Sequence, residues 1–201
     1  MESGVVVKEA LVVVRRPLKE RGFVVKGTSF HREMDDGNIV MVSLQKSTKS
    51  TPVESEVTLN YGVYSARLGS RLQDDPSSAL DVMKAHWRKR LTEDGRERWL
   101  HVKASDSADK SAQVILDAVE GVLPDLLEHA TDEALRNEWI SGSSPGLGKM
   151  QRLLFAAILV NETGPAEKLD NVIGELRDLV AGGVHEGLVE RQLARAGVRV
   201  A

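Results

Sequence analysis

Residues 23–65 decide the fold class, and they read FVVKGTSFHREMDDGNIVMVSLQKSTKSTPVESEVTLNYGVYS. Along Ile39–Thr48, Val40, Val42 and Leu44 fall on one face, and along Glu56–Ser65, Val57, Leu59, Tyr61 and Val63 do, which is typical of strands. Phe23–Met34 predicts an earlier strand, and the intervening Asp35-Asp36-Gly37-Asn38 has the composition of a hairpin turn. Because the linkers are short and contain no crossover helix, this stretch predicts an antiparallel meander.

The pattern extends to both sides of this stretch. Residues 4–21 predict a helix, because Val6, Leu11, Val14 and Leu18 fall roughly on one helical face. Downstream, Arg67–Pro76 is predicted to be a loop. Two further short strands are predicted on either side of the turn Thr92-Glu93-Asp94-Gly95, at Ala85–Leu91 and Arg98–Lys103.

The remaining chain predicts helices only. Asp106 or Ser107 can cap a helix that runs to about Glu128, and Ser144-Pro145 predicts the start of a helix that runs to about Val160. Gly164-Pro165 opens an amphipathic helix that Gly182-Gly183 ends, and residues 185–196 form the last one. We therefore predict an α+β fold: an N-terminal helix, an antiparallel β-meander, a closing helix and a C-terminal helical bundle segment. Its domains are an α+β domain at 1–140 and a helical region at 145–201 packed on the same body.

Composition excludes several classes of protein. The chain has 201 residues, of which 41% are hydrophobic and 28% charged, so it is not collagen, a disulfide scaffold or a disordered chain. Cysteine is absent, which excludes disulfides, a thiol nucleophile and a thiolate zinc site. The sequence shows neither a signal peptide nor a run of about 18 apolar residues, so we expect a cytoplasmic protein without a membrane partner.

Charge is unevenly distributed along the sequence. Residues 1–104 hold 18 basic and 14 acidic groups, a net charge of +4, whereas residues 105–201 hold 9 and 16, a net charge of −7. The whole chain has a net charge of −3. This balance disfavours tight binding to nucleic acid, which needs several phosphate contacts that no acid neutralises. We therefore expect weak or no nucleic-acid binding.

The sequence contains no complete catalytic or cofactor motif. None of the 5 histidines forms an i, i+4 pair of the kind that binds zinc. The segment Ser144–Lys149 lacks the first glycine of a phosphate loop and the Ser/Thr that should follow its lysine, and no nucleophile elbow is present. We predict no cofactor and no metal ion for this chain.

One segment combines aromatic and basic residues, His86-Trp87-Arg88-Lys89-Arg90, and Trp99-Leu100-His101 follows it. Such residues can hold a phosphate backbone and stack on bases. Alternatively, Trp87 lies in the core while the arginines are solvated or paired with acids of the helical half. The second interpretation is favoured, because buried tryptophan is common and the second half of the chain supplies the acids.

Several short motifs follow one another in a fixed order. They are Leu18-x-x-x-Gly22-Phe23-x-x-Lys26-Gly27-x-x-Phe30-x-Arg32, Val40-x-x-x-Leu44-Gln45-Lys46-Ser47, Leu59-Asn60-x-Gly62-Val63, His86-Trp87-Arg88-x-Arg90-Leu91 with Trp99, and Leu123-Pro124-x-Leu126. In this order they resemble DUF4304, a family of uncharacterised bacterial proteins, over roughly residues 5–127. The resemblance implies an α+β domain with a helix, a meander and a closing helix, and it implies no known reaction. Trp99-Leu100 departs from the two aromatic residues expected at that place.

Two classes of function remain open at this point. The favoured one is a non-catalytic, cytoplasmic protein-interaction module of bacterial type, associated with immunity or defence, whose partner is another protein. The alternative is an enzyme or a nucleic-acid processing factor with a polar, basic site on the sheet. The candidate residues for such a surface are Arg32, Gln45, Lys46, Asn60, His86 and Arg88. Convergence of these side chains around a titratable pair would favour an enzyme.

Overall fold

A computed structural model describes residues 2–75 and 79–198. The helices are α1 (Ser3–Glu20), α2 (Ala66–Leu72), α3 (Ala108–Glu128), α4 (Asp132–Ser141), α5 (Lys149–Thr163), α6 (Leu169–Val180) and α7 (Glu186–Arg195). The strands are β1 (Val24–Lys26), β2 (Ser29–Glu33), β3 (Ile39–Lys46), β4 (Glu54–Tyr64), β5 (Trp87–Arg90), β6 (Thr92–Glu93), β7 (Arg96–Glu97) and β8 (Leu100–Lys103). The predicted α+β fold is confirmed. Over the described ranges, none of the helices combines the length and the apolar character that crossing a bilayer requires.

A six-stranded sheet has the order β1-β2-β3-β4-β5, and β8 pairs antiparallel with the first half of β4. The register on that side joins Glu54 to Lys103 and Val57 to Leu100. The strands β6 and β7 form a separate small hairpin. The predicted apolar faces are buried in both long strands, at Val40, Val42 and Leu44 of β3 and at Val57, Leu59, Tyr61 and Val63 of β4.

The chain divides into two compact units. Among the described residues, unit 1 contains 2–33, 40–62 and 89–127, and unit 2 contains 34–39, 63–75, 79–88 and 128–198. In unit 1, the Tyr61 hydroxyl donates to the Asp125 carboxylate over 2.9 Å, so α3 lies on the apolar face of β4. In unit 2, α5 contacts α2, α4, α6 and α7, and its residues 152–160 are all buried. The helix that is apolar on most sides is therefore the centre of unit 2.

Two predicted elements of the meander are wrong in detail. Phe23–Met34 is not one strand, because the chain turns back at Gly27, whose positive φ of 62° allows a tight turn between β1 and β2. Residues 66–72 of the predicted loop Arg67–Pro76 form α2, while Pro76 lies outside the described residues. The Ser65 hydroxyl caps this helix, since it accepts a hydrogen bond from the backbone N–H of Leu68 over 3.1 Å.

The helical half differs from the prediction at one helix start. Ser144-Pro145 does not begin α5, which starts at Lys149 after Gly148. The Pro145 carbonyl instead accepts a hydrogen bond from the backbone N–H of Arg88 over 3.5 Å, so this segment lies along β5. A further helix, α4, was not predicted, and Thr131 caps it through the Ala134 N–H at 3.2 Å.

Candidate functional site

In unit 1, polar side chains from three neighbouring strands meet on the sheet. The Asn60 amide donates to Gln45 Oε1 over 2.9 Å. Arg90 donates from Nε to Asn60 Oδ1 over 3.0 Å and from a terminal nitrogen to Gln45 Oε1 over 3.1 Å. Its other terminal nitrogen lies 2.7 Å from Glu97 Oε1. We call Gln45, Asn60, Arg90 and Glu97 the sheet cluster.

The chemistry of the sheet cluster is that of hydrogen bonding and charge pairing. The two amides are neutral, and the guanidinium carries a positive charge. Glu97 offsets the charge of Arg90, and Asn60 is 9% exposed. The cluster therefore ties β3, β4 and β5 together across a polar face. Arg90 was not among the predicted site residues, although it belongs to the same basic motif as Arg88.

Two other predicted residues lie elsewhere in unit 1. The Arg32 guanidinium donates to the Arg21 carbonyl over 3.2 Å and lies 5.8 Å from the centre of the Phe23 ring. Lys46 is exposed, and its ammonium group lies beside Gly4 of α1. Neither residue reaches the sheet cluster through a described contact.

His86 belongs to unit 2 and is buried. Its Nδ1 accepts a hydrogen bond from the backbone N–H of Ser65 over 3.0 Å, so the ring proton is on Nε2, which donates to Asp74 over 3.2 Å. The ring packs against Tyr64, with 4.6 Å between the ring centres, and against the edge of Phe155 at 5.2 Å. Both nitrogens of His86 are thus engaged in fixing its place in the core.

Tyr64 completes this group through its hydroxyl, which lies 3.4 Å from Asp74 Oδ2. Burial and the negative charge of Asp74 raise the pKa of Tyr64 to about 12. The ring also occupies the space beside Gly69, where an added Cβ would overlap the hydroxyl. The tyrosine is therefore a neutral, tightly packed donor at neutral pH.

The remaining predicted residue, Arg88, contacts the backbone of unit 2. Its guanidinium donates to the Met83 carbonyl, and its side chain lies against Gly146. Neighbouring Trp87 is fully buried, stacks on His129 with 4.3 Å between ring centres and donates to Glu138 over 2.5 Å. The tryptophan of the basic motif therefore lies in the core, as the favoured interpretation predicted. Of the six candidate residues, the described contacts bring together only Gln45 and Asn60.

Unit 2 also contains an ion-pair network that the sequence did not predict. The Asp132 carboxylate accepts from Ser65 Oγ over 2.6 Å, from Arg67 Nε over 2.9 Å and from Asn38 Nδ2 over 3.2 Å. Arg67 also pairs with Glu162 over 2.9 Å, which raises its pKa together with the Asp132 contact. Arg71 pairs with the same glutamate, and the network lines an open cleft of about 400 Å³. Each carboxylate here already faces a cation, so the network fixes the starts of α2 and α4 and the end of α5.

A second cavity of unit 2 is apolar. It has a volume of about 520 Å³ and lies between the start of α5 and the turn that joins α6 to α7. Val180 is buried at its base, whereas Leu179 and Val184 are 44% and 92% exposed at its rim. We call this cavity the apolar groove; its lining residues are Gly148, Lys149, Met150, Leu179, Val180, Ala181, Gly183, Val184 and His185. The sequence signal for it was weak, because Met150 lies in α5 and Val184 lies 34 positions later, in the turn between α6 and α7.

Comparison with known proteins gives one match. A family model described as a domain of unknown function (DUF4304) matches residues 14–129. Neither the curated proteins nor the solved structures contain a match to this chain. The matched residues include the sheet cluster, while the apolar groove follows them in sequence.

Proposed function

The chain belongs to the DUF4304 family, a domain of unknown function, and we propose that it is a non-catalytic protein-interaction module. The proposal includes a cytoplasmic location in a bacterium and a role in immunity or defence. The observation that carries it is the apolar groove, because a cavity rimmed by exposed apolar side chains is typical of a surface that binds another protein.

The distribution of the polar candidate residues supports the same proposal over an enzyme. Acid–base chemistry needs titratable groups within reach of one substrate. The sheet cluster offers two amides and a guanidinium paired with Glu97, while His86 uses both ring nitrogens inside unit 2. Because these groups stabilise the fold, we assign recognition of the partner protein to the exposed apolar surface.

Site-specific cross-linking in the producing cells tests the proposal. A photoreactive phenylalanine analogue replaces Val184 in the groove or, as the control, Val53, which is 71% exposed in unit 1. We expect a discrete adduct with one partner protein from position 184 and none from position 53. The partner is then produced and titrated against the wild-type chain and Val184→Asp, which should weaken binding at least about tenfold. Absence of an adduct at 184, or equal adducts at both positions, would refute the proposal.

A further inference from the structure

The partner chemistry can be read from the walls and rim of the apolar groove, and this inference rests on the proposed function. We infer that the groove binds a segment of another protein in which one or two large apolar side chains are flanked by lysine or arginine.

Val184 has no role in holding its own turn. The turn is fixed by backbone hydrogen bonds from Gly183 to the Val180 carbonyl at 2.9 Å and from Glu186 to the Gly183 carbonyl at 3.2 Å. The Gly182 N–H also donates to the Glu186 carboxylate over 2.9 Å. These contacts place an apolar side chain at 92% exposure beside an apolar cavity. Burial of that side chain by a partner would therefore gain hydrophobic free energy without any rearrangement of the turn.

The size of the groove limits what enters it. Its volume of about 520 Å³ belongs to an open depression, in which Val180 is buried and Ala181 is exposed. A depression of this kind accommodates one or two large apolar side chains, not a whole folded element. The partner therefore contributes a short anchoring segment.

Acidic groups surround the far end of the groove. A second depression of about 300 Å³ continues over Val180 and Ala181, and its charged lining residues are Arg177, Asp178, Glu186 and Glu190. Glu190 is paired with Arg177 over 2.8 Å, an interaction that lowers the pKa of its carboxyl.

On the other side of the groove, Lys149 pairs with Glu175 at 2.9 Å, and the buried Arg152 shares the same carboxylate oxygen at 3.7 Å. The Lys149 ammonium accordingly holds the pKa of the Glu175 carboxyl below its usual value. This leaves Asp178 and Glu186, which pair with no cationic side chain in residues 2–75 and 79–198. Lys149 and Arg152 exceed Glu175 by one positive charge, Arg177 and Glu190 offset each other, and Asp178 and Glu186 add two negative charges. The balance of these groups is therefore negative, and it complements a cationic partner.

Two fluorescent peptides test this chemistry on the full chain. Each has about 14 residues with two neighbouring leucines at its centre; one carries lysines on both sides of the leucines and its counterpart carries glutamates there. Binding is measured by fluorescence polarisation at about 50 and 200 mM salt. We expect the lysine peptide to bind at least about tenfold more tightly than the glutamate peptide, and more weakly at the higher salt.

Matched variants locate the binding. Val184→Ser should weaken binding of the lysine peptide about tenfold, while Val53→Ser, an equally conservative change in unit 1, should leave it unchanged. Asp178→Asn combined with Glu186→Gln should bring the two peptides within about twofold of each other. Thermal unfolding confirms that each variant is folded. Equal binding of both peptides, no binding of either, or no effect of Val184→Ser would overturn the inference.

The cross-linking experiment separates this inference from the proposed function. An adduct at residue 184 with an acidic or uncharged segment would contradict the partner chemistry inferred here and leave an interaction module in place. Absence of any adduct at 184 would contradict the proposed function, whatever the peptides do.

Discussion

Replacing Asp132 by alanine should strongly destabilise unit 2. Its carboxylate is 16% exposed and accepts hydrogen bonds from Ser65 Oγ at 2.6 Å, Arg67 Nε at 2.9 Å and Asn38 Nδ2 at 3.2 Å. Ser65 is fully buried, so its hydroxyl would lose its acceptor and find no water. Two buried donors, Ser65 and Asn38, would lose this acceptor, while Arg67 is 44% exposed and keeps Glu162, so we expect a cost of about 2–4 kcal/mol of unfolding free energy.

Two matched variants separate charge from shape. Asp132→Asn keeps the volume and most acceptor geometry but loses the charge, and we expect a cost of about 1–2 kcal/mol. Asp109→Asn also changes an aspartate in the first turn of a helix, α3, but at an exposed position. Its cost should be about 0.5 kcal/mol or less.

Urea unfolding followed by tryptophan fluorescence measures the effect. Trp87 and Trp139 are both buried in unit 2, whereas Trp99 is half-buried in unit 1, so most of the change in emission reports on the part of the chain that holds Asp132. For Asp132→Ala the midpoint should fall by about 1–3 M, given a typical urea slope for proteins of this size. A loss under about 1 kcal/mol, or one equal to that of Asp109→Asn, would show that the network contributes little to stability.

Three further outcomes are expected. Leu154→Ala or Ile173→Ala removes most of a buried side chain and should lower the free energy of unfolding, measured in urea, by about 2–5 kcal/mol. A loss under about 1 kcal/mol would mean that these helices are not docked. Tyr61 and Tyr64 are the chain's 2 tyrosines, and both pKa values are raised, that of Tyr64 to about 12 by burial and Asp74. Absorbance at 295 nm should therefore show no tyrosinate step near pH 10 in the folded protein, and such a step would contradict the burial of the two rings. Because the unfolded tyrosines ionise near pH 10 and the folded ones do not, the free energy of unfolding should fall as the pH rises from 10 towards 12, and it should fall less in Tyr64→Phe. Duplex and single-stranded DNA should bind weakly and be released by about 200 mM salt, so sub-micromolar binding that persists there and is lost in Arg88→Ala would show that local charge outweighs net charge.

The periodicity of apolar residues predicted which faces of the long strands and helices are buried. The alternation along β3 and β4 placed Val42 and Leu59 on buried faces, and the apolar spacing of α6 placed Ile173 and Leu176 in the core. The helix α2 was not predicted, because Gly69 lowers the helix propensity of its sequence. The structure shows why a glycine is needed there: a Cβ at position 69 would overlap the Tyr64 side chain.

The candidate site was less predictable than the fold. Gln45 and Asn60 were named together and do meet, since they lie on the same face of adjacent strands. His86 and Arg88 make their hydrogen bonds within unit 2. The alternation of side chains along a strand predicts the face on which a residue lies, but it does not predict where along the sheet that residue lies. In the Asp132 network, Ser65 lies 67 positions and Asn38 lies 94 positions from Asp132 in the sequence. No local sequence pattern reveals contacts over such separations.

The interleaving of the two units sets an order of events when the chain is synthesised. All of unit 1 has been synthesised once the chain reaches residue 127, but residues 34–39, 63–75 and 79–88 can pack only after the helices that follow residue 128 have been made. The hydrogen bond from Asn38 to the Ala130 carbonyl alone closes a loop of 92 residues, a slow and entropically costly step. A nascent chain arrested near residue 140 would therefore expose strand and helix segments without their packing partners, and such chains are prone to aggregate. For the same reason the C-terminal helices are not a detachable tail, since the middle of the chain completes its folding on them.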